Sequence, residues 1–96
     1  MKDTEIIEYF KSMGYENIVK IDNKWCALNR FAFTTGLLVD LNVLGYERRY
    51  CFNTWAEALE SLLIWDGKEH PSGNWIKCKG TFRGETVDII NPNSIS

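Results

Sequence analysis

The sequence has little of what most often carries catalysis, metal binding or targeting. Its only histidine is His70, and its three cysteines, Cys26, Cys51 and Cys78, are widely spaced with no C-x-x-C pair among them. That spacing argues against a cysteine-based zinc site or a dithiol redox couple, and each thiol reads as a small buried hydrophobe in a reducing compartment. No Walker loop, G-x-G-x-x-G or H-E-x-x-H occurs, so no metal and no cofactor is expected. Positive charge is not in excess either. Eleven Lys and Arg face thirteen Asp and Glu, for a net charge of -2, which argues against a protein that coats duplex nucleic acid or an anionic membrane. The opening MKDTEIIEYF carries acids instead of a signal-type apolar run, and no later run approaches membrane-spanning length. A cytoplasmic protein without membrane contact is the expectation.

With 45% hydrophobic residues over 96 positions and only two prolines, the chain reads as a single α+β domain over residues 1–90 followed by a frayed tail over 91–96. Aromatic residues make up 14% of it, with four Trp, more than one minimal core needs. Some rings should therefore face a partner, and a homodimer is one way to bury them.

Asp3 or Thr4 is placed to cap a first helix, in which Ile6, Phe10 and Met13 recur at helical spacing before Gly14 stops it. Residues 18–21 and 25–28 flank Asp22-Asn23-Lys24 as a hairpin. The stretch FAFTTGLLVDL is rich in strand formers, and Gly36 within it marks a bulge or a place where something approaches the backbone closely. The next strand, 46–53, puts Tyr46, Arg48, Tyr50 and Phe52 on one face and Glu47, Arg49 and Cys51 on the other. Thr54 with Glu57 forms a capping box, and Trp55, Ala58, Leu59, Leu62 and Leu63 form the stripe of a second helix ending near Asp66-Gly67. Strands at 75–79 and 86–90, turned by Arg83-Gly84, complete the order. The expected fold is a small antiparallel sheet of four to six strands with two amphipathic helices on one face.

The clearest candidate site is the segment WDGKEHPSGNWIKCKG. Strand alternation would place Trp75, Lys77 and Lys79 on one face, where an indole can stack on a base while two ammonium groups neutralise attached phosphates. The alternative is an edge strand whose lysines only discourage sheet-to-sheet association. Asp66, in the last turn of a helix, opposes the macrodipole and reads as either an organiser of the following loop or a ligand contact. Arg48 and Arg49 are adjacent in a strand, so one must face the helices and be paired or snorkel out. Their forks, with Arg30, Thr34 and Thr35 close by in sequence, suit a phosphate or carboxylate on the open sheet face, the alternative being surface pairing with Glu47, Glu57 or Glu60. The ligand-binding set is thus Arg48, Arg49, Tyr50, Trp65, Asp66, Trp75, Lys77 and Lys79, with no catalytic residue expected. His70 would need a distant Asp and Ser72 or a cysteine to make a triad, so a small hydrolase is a third-ranked reading.

The blocks WCALNRFAFTTGLLV (25–39), GYERRYCF (45–52), EALESLLIWDG (57–67) and WIKCKG (75–80), in that order, resemble a group of short proteins encoded by tailed phages and prophages. The resemblance implies a viral accessory protein acting stoichiometrically in the host cytosol. On that reading the chain binds and sequesters a small nucleotide-like anionic signal in counter-defence; the alternative is a protein-protein inhibitor of a host nuclease or defence complex. Double-stranded RNA binding fits an α-β-β-β-α order but meets a net acidic chain and a second helix opening on Trp55, Ala56 and Glu57.

Overall fold

The computed structural model describes residues 2–92. Its elements are α1 (Asp3–Ser12), β1 (Glu16–Ile21), β2 (Lys24–Arg30), β3 (Thr35–Asn42), β4 (Gly45–Phe52), α2 (Trp55–Ile64), β5 (Lys77–Phe82) and β6 (Glu85–Ile90). The six strands form one antiparallel sheet in sequence order. Four strands, not three, separate the helices, so the α-β-β-β-α order entertained above does not hold.

Local chemistry sets the turns. Asp22 and Asn23 both take left-handed φ, at 49° and 62°, and Arg83-Gly84 does the same at 53° and 79°, the conformation that lets a two-residue turn follow the strand twist. Between β3 and β4, the Leu44 amide donates to Asn42 Oδ1 at 2.8 Å, an Asx turn. At the start of α2 the Glu57 amide donates to Thr54 Oγ1 at 3.2 Å, and the Thr54 hydroxyl donates to Glu57 Oε1 at 2.9 Å. Helix α1 departs from expectation: the cap position is Lys2, with no side-chain cap.

The helices lie on opposite faces of the sheet, which corrects the one-face expectation. Ala58 and Leu62 of α2 pack with Cys26, Leu28, Leu37, Val39, Tyr50 and Phe52. Phe10 of α1 packs with the alternate residues Ala27, Leu38 and Leu41, joined by Ile6, Tyr15, Ile18 and Trp25. The cause is in the central strands. Cys26-Ala27-Leu28 and Leu37-Leu38-Val39 are unbroken apolar runs, buried at every position, and such runs need cover on both faces. Left-handed Asp40, at φ 61°, interrupts the alternation of β3, so Leu41 and its cross-strand partner Tyr46 join the α1 side. On α2, Leu63 and Ile64 point outward and are exposed, so Leu63 is not part of the buried stripe.

Because β4 and β5 are neighbours in the sheet, everything between them is an excursion over the α2 face. Its second half, residues 65–76, is an irregular segment stapled to the rest. Ser61 Oγ donates to the Ser72 carbonyl at 2.6 Å, and Lys24 Nζ to the Gly67 carbonyl at 3.3 Å. The Asn91 amide donates to the Ile76 carbonyl at 2.9 Å and Asn91 is buried, so the chain is anchored one residue beyond β6, where a frayed tail was expected to begin. Residues 93–96 of that expected tail lie outside the described residues. No described helix is long and apolar enough to cross a membrane.

Candidate functional site

Strand β4 divides its two arginines between the faces. Arg48 faces α2 and is 5% exposed; Arg49, on the other side, is partly exposed. Arg48 forms no ion pair among the described residues, and its Nε is enclosed without a hydrogen-bond partner. Its guanidinium carbon instead lies 4.4 Å from the Phe82 ring centroid, 5.3 Å from Tyr50 and 5.9 Å from Trp65. Cation–π contacts of this kind return about 0.5–2 kcal/mol each, whereas removing an ion from water costs several kcal/mol even after relaxation.

Arg48 lines a cavity of about 370 Å³ built from four places in the chain. The β1–β2 turn supplies Asp22 and Lys24; β3 and β4 supply Val39, Asp40 and Glu47; the segment after α2 supplies Lys68 and Glu69; and the β5–β6 hairpin supplies Phe82 and Arg83. Several rim charges already have partners. Lys24 pairs with Asp22 at 3.4 Å, and Arg83 pairs with Glu69. Lys68 makes no ion pair among the described residues. Two cations, Arg48 and Lys68, and two carboxylates, Asp40 and Glu47, therefore line the cavity without an ion pair among the described residues.

Behind Arg48 stands a wall of rings. Tyr50 meets Trp65 edge-on at 6.2 Å, His70 at 5.7 Å and Trp75 at 5.1 Å. The Tyr50 hydroxyl lies 2.6 Å from His70 Nδ1. Burial pushes the Tyr50 phenol upward, with Arg48 acting in the opposite sense, so the phenol stays protonated and shares a hydrogen bond with Nδ1 whose direction follows the histidine tautomer. Burial first, then the Arg48 charge, holds His70 below the usual histidine value. Cys26 is pushed up to about 11 and Cys78 is also raised, both chiefly by burial, so these thiols stay protonated and behave as packing groups.

The expected site residues fall into two groups. Arg48 alone of them lines the cavity; Tyr50 and Trp65 lie against its guanidinium, and Trp75 packs on Tyr50 behind them. Asp66 Oδ1 accepts from the Lys68 amide at 2.9 Å, the loop-organising role. Arg49, Lys77 and Lys79 sit on the opposite face. The shared face of Trp75, Lys77 and Lys79 does not form, because β5 begins only at Lys77 and alternation does not extend back to residue 75. Trp75 is 5% exposed, packs on the same side as Cys78, and donates from Nε1 to the Pro71 carbonyl at 2.9 Å.

Sequence reasoning missed Phe82, Lys24, Lys68 and Arg83 as cavity residues. Phe82 had a signal. Counting by twos from Cys78 puts residues 80 and 82 on the core side, and Gly80 is the cross-strand partner of Arg48. The other three arrive from separate turns and follow only from the sheet register. Comparison with protein-family models, with curated proteins and with solved structures gave no match.

Proposed function

We propose that this protein is a binding domain, acting without turnover, for a small nucleotide-like anion held at Arg48. The observation that carries the reading is a buried arginine that meets rings but no carboxylate among the described residues and lines a cavity of about 370 Å³, within the range typical of small-ligand sites. An anionic group on the ligand supplies the missing counter-charge through the guanidinium fork. Lys68 adds a second cation, and half-buried Phe82 offers apolar surface for a ring. The resemblance to phage and prophage proteins adds the setting: sequestration of a nucleotide-derived signal, in counter-defence.

A second reading, inhibition of a host nuclease or defence complex by direct contact, draws on a different surface. Val43 and Leu44 are exposed at the β3–β4 turn beside Tyr9 of α1, next to a cavity of about 520 Å³ floored by Ile6 and Phe10. An apolar cluster of this kind is what a protein partner would cover.

The test is to incubate the purified protein with AMP, ADP, a cyclic dinucleotide, phosphate and pyrophosphate, then release and analyse what was held. A nucleotide recovered intact, with binding weakened by Lys68→Ala, is the expected result. A chemically altered nucleotide would mean a hydrolase, and no binding across the panel would leave the partner-blocking reading.

A further inference from the structure

The face opposite Arg48 is covered by α1 over part of its width, where Phe10 seals Ala27 and Leu38. Across β4 and β5 it carries three cations. Arg49 is the cross-strand partner of Lys79, and Lys77 is that of Cys51 on the next rung. The two lysines are about 6.6 Å apart along the strand, and Arg49 lies about 5 Å across from it. Lys79 pairs with Asp88 at 3.8 Å, while Arg49 and Lys77 have no ion pair among the described residues. Arg49 Nε, like that of Arg48, is enclosed without a hydrogen-bond partner.

Aromatic surface adjoins these charges. The β2–β3 connection folds Phe31 back over Gly36, where a Cβ would overlap the ring, and the Arg49 guanidinium lies 5.1 Å from the Phe31 centroid. Phe33, two residues on, is 94% exposed. Phe31, Phe33, Arg49 and Lys77 border one open depression of about 460 Å³.

We propose that this half-face binds a short single-stranded nucleic acid, with a base on Phe33 and neighbouring phosphates on Arg49, Lys77 and Lys79. Charge complementarity selects a polyanion, and the bare ring selects one with accessible π faces. A duplex hides its base faces in its own stack, and the chain's net charge of -2 gives no general attraction to compensate. This surface is separate from the Arg48 cavity and does not depend on the reading given to it.

The probe is fluorescence anisotropy with labelled oligo-dT of twelve nucleotides and its duplex with oligo-dA, over a range of salt concentrations. Three phosphate contacts predict a slope of about -2 for log K against log salt. Lys77→Gln should make that slope shallower by about 0.7, and Phe33→Ala should weaken binding by about tenfold at constant slope. Lys11→Ala, exposed on α1 and paired with Glu8, should change nothing. The proposal is overturned by absence of saturable binding, by equal affinity for the duplex or heparin, or by a Phe33→Ala variant that binds as well as wild type.

Discussion

At the scale of single residues, the absence of a side chain matters as much as its presence. Gly80 sits at φ 133°, and a Cβ there would overlap the backbone carbonyl of Glu47 and crowd Arg48 Cα. Neither neighbour is a flexible side-chain end, so Gly80→Ala should destabilise the fold by about 2–4 kcal/mol and disturb the strand that bears Arg48. Gly36 differs: its φ is not left-handed, and what its Cβ would meet is the Phe31 ring, a side chain with room to rotate. Gly36→Ala should therefore cost no more than about 1 kcal/mol while displacing Phe31. Urea unfolding of the two variants checks the ranking, and equal losses would contradict it. Gly36 was legible in the sequence as a point of close approach. That Arg48 meets rings and no carboxylate among the described residues was not, because no local pattern tells whether a strand arginine will find a carboxylate from a remote turn.

At the scale of elements, the segment 65–76 shows how a polar stretch becomes a rigid wall. Its tryptophans turn their indole N–H groups onto carbonyls of the same segment, Trp65 to Lys68 at 3.0 Å and Trp75 to Pro71. His70 ties it to β4 through Tyr50. The native state holds His70 neutral, with its value lowered by burial and then by Arg48. Below pH about 6.5, the ordinary histidine value, the unfolded chain takes up a proton that the folded one resists, so stability falls as pH falls through that value. Urea midpoints between pH 7.5 and 5.5 should drop for wild type and drop less for His70→Gln; parallel curves would contradict the assignment. Strands and helices were mostly visible in the sequence because period and turn chemistry are local. Strand β5 starts two residues later than its sequence pattern predicts: Ile76 donates its amide to the Cys51 carbonyl, and Trp75 is held by its own buried hydrogen bond to Pro71. That tertiary override separated Trp75 from Lys77 and Lys79.

At the scale of the molecule, the sheet is a partition between two unlike surfaces. One face, under α2 and the 65–76 segment, encloses the Arg48 cavity; the other, half covered by α1, carries Arg49, Lys77 and Lys79 beside Phe31 and Phe33. The two-sided burial was written in the runs WCAL and GLLV, where alternation fails. Its consequence, that adjacent arginines serve different surfaces, needed the register. If Arg48 is kept for a ligand, it is a cost to the unliganded fold. Replacing it with an apolar side chain of similar length should then be neutral or stabilising by up to about 4 kcal/mol.

The most direct measurement is urea unfolding of wild type and Arg48→Met, each alone and with the nucleotide and phosphate panel. Unliganded Arg48→Met should be at least as stable as wild type. Only wild type should gain from a ligand, by about 2.7 kcal/mol at a hundredfold excess over its Kd. An Arg48→Met protein that unfolds several kcal/mol more easily, or that gains from the panel as much as wild type does, would show that the guanidinium holds the fold together and receives no anion.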